Sequence, residues 1–262
     1  MTETTASSAP EILTRQDKGV LEIEFNRPGK KNAFTSEMYA TMAAALEEAE
    51  ADPAVRVILF RGAEDVFTAG NDIEDFMRRP PRTDDAPVFR FLVAASRATK
   101  PLLAAVNGPA VGIGTTLLLH CELVYAGENA RFSLPFTNLG VVPEFGSSYL
   151  LPLVAGYQRA AELLLLGEPF GAAKAVEVGI VTRVTPPAET LRVAREAAAK
   201  LVALPQKSIR LTKALMKSAH AAAVQAQLLA EGNHFRALLA EPAAREALSA
   251  FMEKRRPDFS KL

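Results

Sequence analysis

Residues 102–126, LLAAVNGPAVGIGTTLLLHCELVYA, alternate between strand and helix patterns and decide the fold class. The segment 102–106 is a short apolar strand, 113–120 follows the glycine-rich turn as a buried helix, and 123–126 is a second strand. Glycines in the turn allow a ligand to approach the backbone closely at the start of a helix. Strands that alternate with helices predict an α/β fold.

The flanking chain extends this pattern. On the N-terminal side we expect strands at 21–25 and 55–60, helices at 36–52, 70–77 and 88–99, and a mobile loop at 78–87. Beyond Pro152 we expect helices at 155–166, 172–178, 188–204, 205–239 and 243–254, with one strand at 180–184. The apolar stripes of these helices exceed what one small sheet can cover, which predicts packing against another subunit.

The composition excludes several classes of protein. The chain has 262 residues, 49% of them hydrophobic, and its 30 basic and 30 acidic side chains balance. A net charge of zero gives no general attraction to nucleic acid or to anionic lipid, so we expect neither partner. Cys121 is the single cysteine and the histidines are not paired, so we expect no disulfide, no metal site and a reducing compartment.

The N-terminal and C-terminal residues give indications about the location of the protein in the cell. Residues 1–11 are polar and read as a disordered tail, and no apolar run is long enough to span a membrane. The last residues, Ser260-Lys261-Leu262, match the peroxisomal address. The alanine- and arginine-rich composition is typical of a bacterial protein, so we expect the bacterial cytoplasm, with the peroxisomal matrix as the alternative.

The glycine-rich turn is not a nucleotide-binding motif. Gly112-Ile113-Gly114 opens a helix after a strand, but Leu117 stands where a dinucleotide fingerprint has its third glycine. P-loop and Gly-x-Ser-x-Gly motifs are absent from the sequence. What remains is a helix start with free N–H groups, which either stabilises a developing negative charge or forms a tight turn without a ligand.

Two further stretches hold candidate groups. In Phe-Thr-Ala-Gly-Asn-Asp at 67–72, a backbone N–H could face a cleft while Asp72 caps the next helix. Glu144 lies in the apolar stretch 132–152. As a first-turn acid it would interact with the helix dipole, which lowers its pKa, whereas apolar neighbours such as Phe145 would raise that pKa and favour a proton shuttle. We interpret His120, His220 and His234 as structural or surface residues.

Four ordered motifs resemble the crotonase (enoyl-CoA hydratase/isomerase) superfamily over about residues 12–255. They are Arg-Pro-x-x-Lys-Asn-Ala at 27–33, Phe-Thr-Ala-Gly-Asn-Asp at 67–72, Asn-Gly-Pro-Ala-Val-Gly-Ile-Gly at 107–114 and Leu-Gly-x-x-Pro-Glu at 139–144. The resemblance implies a spiral core of ββα units over 12–200 and a helical trimerisation region over 201–262. It also implies an acyl-CoA substrate, no cofactor apart from the coenzyme A of that substrate, and a homotrimer or a dimer of trimers.

The resemblance also assigns site residues. It places the oxyanion hole at the backbone N–H groups of Ala69 and Ile113. It assigns substrate binding to Lys31, Ala33, Gly70, Asn71, Asp72, Ile73, Gly112 and Phe136. The two glutamates of the family's hydratases have Thr116 and Phe136 at their positions here, and neither side chain can activate water or deliver a proton.

Glu144 stands where the peroxisomal-type Δ3,Δ2-enoyl-CoA isomerases have their single catalytic acid. The resemblance therefore implies that Glu144 moves a proton from C2 to C4 of a 3-enoyl-CoA and produces the trans-2-enoyl-CoA. An enoyl-CoA hydratase and a ring-modifying acyl-CoA isomerase remain alternatives. A non-catalytic or RNA-binding member is a further one, although the helix that is lysine-rich in such proteins here carries Glu37, Glu47, Glu48 and Glu50 and no lysine.

Overall fold

The computed structural model of the chain describes residues 9–63, 65–81, 83–260 and 262. Most of the predicted N-terminal tail and Lys261 of the C-terminal tripeptide therefore lie outside the described residues. The main sheet has six strands in the order β1-β2-β3-β4-β6-β9. Its strands are β1 Ile12–Asp17, β2 Val20–Phe25, β3 Val57–Gly62, β4 Leu102–Val106, β6 Leu123–Gly127 and β9 Arg183–Thr185. Only β1 and β2 pair antiparallel, and the other neighbours are parallel.

A smaller sheet stands beside the main one. It consists of β5 Pro109–Val111, β7 Arg131–Ser133 and β8 Phe170–Gly171, with β5 parallel to β7. Each of β4 and β6 leads within a few residues into a strand of this second sheet, and a helical segment follows. After β3, Thr68 makes the corresponding step by forming a bridge to Ala110. This repetition confirms the predicted α/β class and the spiral of ββα units.

The helices cover the sheet and supply the C-terminal region. They are α1 Ser36–Ala51, α2 Ile73–Arg78, α3 Pro87–Arg97, α4 Ile113–Thr116, α5 Ser147–Ala155, α6 Tyr157–Ala161, α7 Ala172–Glu177, α8 Thr190–Ala203, α9 Gln206–Ser218, α10 Ala221–Leu239 and α11 Pro242–Met252. Successive residues of a strand face opposite sides of a sheet. In β3, Ile58 joins the larger core while Val57 and Leu59 pack with α8, so both faces of the sheet are buried.

The helix boundaries correct several sequence expectations. The predicted helix 205–239 is two helices, because the chain turns at Ala219–His220 between α9 and α10. Helix α5 was missed because Pro152, read as a helix boundary, lies inside it. The predicted helix 113–120 keeps α geometry only to Thr116 and continues as a 3-10 helix, while 162–166 forms a π-helix. The strand expected at 180–184 forms later, as β9.

Helix α9 exposes apolar side chains that are relevant to the predicted oligomer. On α9, Leu211, Leu215 and Met216 are more than half exposed, at 55%, 75% and 62%. These side chains fit the predicted contact with another subunit, which stays a prediction together with the division at residue 200. Over the ranges that the structure describes, no helix is both long and apolar enough to cross a membrane.

Candidate active site

Two backbone turns lie side by side at the centre of the spiral. The Thr68 N–H donates to the Pro109 carbonyl at 2.9 Å, and the Val111 N–H donates to the Thr68 carbonyl at 3.0 Å. Each segment then turns at a glycine with positive φ, Gly70 at +89° and Gly112 at +55°. A Cβ atom on Gly70 would lie 2.9 Å from the Val111 carbonyl oxygen, so only glycine fits this close approach.

Ile113 follows the second of these glycines and begins α4. The first N–H groups of a helix have no intrahelical acceptor. Within the described residues the Ile113 N–H donates to no protein acceptor, while Thr115 and Thr116 both donate to the Gly112 carbonyl, at 2.8 and 3.0 Å. The structure thus places a free N–H where the sequence predicts an oxyanion donor.

The Ala69 amide does not have the free N–H group that the predicted oxyanion hole requires. Its N–H donates to the Lys31 carbonyl oxygen at 2.9 Å, so it is not free to bind an oxyanion. The next amide after the glycine, that of Asn71, donates to no acceptor in the described chain. Phe34 pairs with the residues on either side of it, through the Gly70 carbonyl at 2.7 Å and the Asp72 N–H at 2.9 Å. Gly70-Asn71 thus repeats the arrangement of Gly112-Ile113, a glycine with positive φ followed by a free amide. This repetition identifies Asn71 as the candidate for the second oxyanion donor.

The remaining predicted binding residues have mixed roles. Asp72 caps α2 by accepting from the Asp75 N–H at 3.0 Å and forms an ion pair with Arg27 at 2.6 Å, so its carboxylate is engaged in contacts within the protein. The Ala33 carbonyl oxygen accepts a hydrogen bond from the same Arg27 side chain at 3.0 Å. Ile73 is the first residue of α2, and the Lys31 side chain is exposed. Phe136 is buried in the core at 5% exposure and lies outside the cavity described below.

Glu144 is held by a hydrogen bond from α4. The Thr116 hydroxyl donates to Glu144 Oε1 at 2.5 Å. Burial raises the pKa of Glu144 to about 8, the Thr116 hydrogen bond opposes this rise, and the charge of Glu231 adds to it. Thr116 lies one helical turn after Ile113, so α4 links the free amide to the carboxyl group.

Glu144 is not a first-turn helix acid, because α5 begins only at Ser147. Phe145 and Gly146 lie between them with φ of +63° and +70°. His120 supports this left-handed turn, with its ring stacked on Phe145 at a centroid distance of 4.0 Å and its Nε2 2.7 Å from the Phe145 carbonyl oxygen. Burial lowers the pKa of His120 to about 3, so a neutral ring donates from Nε2. His120 is therefore structural, in agreement with the interpretation from the sequence.

A narrow cavity of about 30 Å³ opens beside Glu144. Its polar side chains are Glu144 and Asn71, and Asn71 Oδ1 accepts from the buried Tyr39 hydroxyl at 2.5 Å. The rest of the lining is Phe76, Pro81, Val88, Phe89, Leu92, Phe145, Leu228, Gly232 and Phe235. One carboxyl group of raised pKa lies in apolar walls, with Asn71 in the same cavity and the free Ile113 amide one helical turn from Thr116, which bonds Glu144. This arrangement is suited to moving a proton next to a carbonyl group. Throughout the described ranges, no cluster of three or more His, Cys, Asp or Glu side chains could hold a metal ion.

Known proteins resemble the chain over most of its length. The pattern of the enoyl-CoA hydratase/isomerase family matches residues 15–261. The 1,2-epoxyphenylacetyl-CoA isomerase of Escherichia coli (strain K12) is 36% identical over 258 residues, 95% of this chain and 98% of that protein. Enoyl-CoA delta isomerase 2 of Rattus norvegicus is 38% identical over 81% of this chain and 56% of that protein. The structure of Pseudomonas aeruginosa OdaA is 47% identical with a TM-score of 0.91, over 93% of this chain and 99% of that one.

Proposed function

The chain belongs to the enoyl-CoA hydratase/isomerase family, and we propose that it is a Δ3,Δ2-enoyl-CoA isomerase. The observation that carries this proposal is that, among the described residues that line the apolar cavity, Glu144 has the only carboxyl group. One carboxyl group suffices to move a proton between two carbons of the same substrate, because the group that removes the proton can return it.

In the proposed reaction, the Glu144 carboxylate removes a proton from C2 of a 3-enoyl-CoA. Negative charge moves to the thioester oxygen, which the N–H groups of Asn71 and Ile113 bind. The protonated Glu144 then donates to C4, and the product is a trans-2-enoyl-CoA. Fixed amides stabilise this charge without reorganising, and the apolar walls exclude water from the dienolate.

Hydration is less well supported, because adding water requires a group that activates the water and a proton delivered to the neighbouring carbon. The Thr116 hydroxyl is already committed as a donor to Glu144. Phe136 has no polar side-chain atom. Both positions that would hold hydratase acids therefore lack acid–base function.

A ring-modifying acyl-CoA isomerase is the second candidate. It is favoured by the aromatic lining of the cavity, where Phe76 packs edge-on against Phe235 at a centroid distance of 5.9 Å. The 36% identity to the 1,2-epoxyphenylacetyl-CoA isomerase supports it as well. Aromatic walls of this kind pack well against a ring.

A substrate panel tests the proposal. We expect kcat/KM for isomerisation of 3-hexenoyl-CoA to exceed that for hydration of crotonyl-CoA by about 100-fold or more, since a missing acid–base group costs at least that factor. Absorbance of the conjugated thioester measures both reactions. Equal rates would contradict the proposal, and faster turnover of 1,2-epoxyphenylacetyl-CoA would favour the second candidate.

The proposed base also sets a pH dependence. Because Glu144 must be ionised to accept a proton, we expect kcat/KM to rise with pH and to reach half its maximum near the Glu144 pKa of about 8. Thr116→Val removes a hydrogen bond that favours the ionised form, so the midpoint should move up by about one pH unit. The matched control is Thr14→Val on an exposed strand position, which should leave the midpoint unchanged. A lower or unaltered midpoint in Thr116→Val would contradict the role given to this hydrogen bond.

A further inference from the structure

A second buried carboxyl group lies behind the Glu144 turn. Glu231, in the middle of α10, is 4% exposed. Its Oε2 accepts from the Gly146 N–H at 2.5 Å, and its Oε1 accepts from the Ser148 N–H at 2.9 Å and from the Ser148 hydroxyl. A carboxylate that accepts several N–H groups at a helix start is a strong electrostatic partner for that helix. Glu231 thus occupies the α5 terminus that the sequence suggested for Glu144.

Neighbouring contacts make this a two-point attachment of α10 to the start of α5. Gln227, one turn before Glu231, donates from Nε2 to the Ser148 hydroxyl oxygen at 2.8 Å. Gly232, the next residue, lies against Phe89, where a Cβ atom would be 3.1 Å from the ring. Both Phe89 and Gly232 line the cavity beside Glu144. Helix α10 therefore supports the turn and forms part of the cavity wall.

The attached turn holds Glu144. The Ser147 N–H donates to the Glu144 carbonyl at 3.1 Å, and Phe145 adopts a left-handed conformation that non-glycine residues seldom take. Such a conformation persists only where the surroundings hold it. His120 holds the turn at the Phe145 carbonyl, and Glu231 holds it at the Gly146 amide. The direction of the Glu144 side chain thus depends on both contacts.

The charges around Glu144 are few. Thr116 on α4 is neutral, the Tyr39 phenol on α1 is neutral because burial raises its pKa well above the usual value, and His120 is uncharged. Among the described residues, Glu231 on α10 is the ionisable group whose charge acts on Glu144, and like charge favours the protonated form of Glu144. Burial raises the pKa of Glu231 itself, whereas the hydrogen bonds from Ser148 and Gly146 oppose that rise and favour its carboxylate form.

We propose that Glu231 is a positioning residue for Glu144, which fixes the turn 144–146 and thereby the direction of the Glu144 carboxyl group. The like charge of Glu231 also favours proton retention by Glu144, which matters because the same group must first accept the C2 proton and then keep it until C4 is reached. This proposal rests on the proposed function of Glu144.

The test compares Glu231→Gln and Glu231→Asp with the parent enzyme. Glu231→Gln removes the charge and places an amide N–H₂ against one of the backbone donors. We expect a kcat for 3-hexenoyl-CoA that is lower by roughly 10- to 100-fold, with KM within about 3-fold, and a midpoint of kcat/KM at lower pH. Glu231→Asp keeps the charge but shortens the reach, so kcat should fall while the midpoint stays at the parent value. Glu241→Gln, the same change at an exposed position of the chain, should alter neither quantity.

A readout without turnover separates this proposal from the proposed function. Infrared titration of the whole protein follows the protonated carboxyl band of Glu144, which is identified by its loss in Glu144→Gln. That band should titrate at lower pH in Glu231→Gln. An unchanged titration and unchanged kcat in Glu231→Gln would overturn the positioning role. If Glu231→Gln does not fold, a kcat in Glu231→Asp equal to that of the parent would overturn it. Full isomerase activity in Glu144→Gln would instead refute the proposed function.

Discussion

Replacement of Glu144 by Gln is expected to lower kcat/KM for 3-hexenoyl-CoA isomerisation by about 10³-fold. The glutamine amide keeps the size of the side chain and can still accept a hydrogen bond from Thr116, but it cannot take up the C2 proton. No other carboxyl group from the described part of the chain lines the cavity to replace it. The measurement is the initial rate of formation of the conjugated thioester. Undiminished isomerisation would exclude Glu144 as the base.

The thermal stability of Glu144→Gln shows whether a loss of activity is caused by unfolding. The pKa of Glu144 rises from 4.5 to about 8 on folding, so between these values the folded state binds more protons than the unfolded state. The free energy of unfolding of the parent must therefore fall as pH rises through this window. Glu144→Gln cannot ionise and should show a higher Tm than the parent at pH 9, with similar values at pH 5. A higher Tm combined with lost activity excludes unfolding as the cause of the loss.

The sequence predicted those parts of the site that local patterns encode. The glycine-rich turn at a helix start is recognisable in the sequence, although only the family resemblance assigned Ile113 within it, and Glu144 is recognisable because its neighbours are apolar. The Ala69 N–H is engaged with the Lys31 carbonyl, and no local pattern shows this hydrogen bond because it depends on a turn that is distant in sequence. Glu231 gave no local signal at all. Its partner Gly146 is 85 residues away, and only the tertiary packing of α10 brings them together.

The fold was predictable to a similar degree. The alternation of strands and helices was sufficient for the α/β class and for the boundaries of β4, which match the expectation. The strands of the small sheet have two or three residues each, too short for a periodic pattern to register. Helix α5 was missed because Pro152 was read as a boundary, whereas it removes only a single helical hydrogen bond inside a helix that tertiary contacts stabilise.

Replacement of Gly70 by Ala is expected to lower kcat by about 10²- to 10³-fold, the usual cost of losing one oxyanion donor. The backbone φ of +89° disfavours any side chain there, and the added Cβ would lie 2.9 Å from the Val111 carbonyl oxygen. The two backbone segments, 68–70 and 111–112, are joined by the hydrogen bond from Val111 to Thr68, so they cannot separate freely to make room for the added Cβ. The substitution therefore shifts the Asn71 amide relative to that of Ile113, while Glu144 and its contact with Thr116 stay in place.

Because the Asn71 amide shifts while Glu144 stays in place, the kinetic constants and the pH midpoint should respond differently to Gly70→Ala. A shifted oxyanion donor weakens transition-state binding, so kcat should fall with little change in KM, and the pH midpoint set by Glu144 should stay at the parent value. Gly171→Ala is the matched control, since the nearest contact of its Cβ is the end of the Arg131 side chain at 3.7 Å, and it should retain parent kcat. A parent-like kcat in a folded Gly70→Ala would show that the Asn71 amide does not bind the thioester oxygen. Because Ala69 N–H is bonded to Lys31, the proposed oxyanion hole would then reduce to the Ile113 amide.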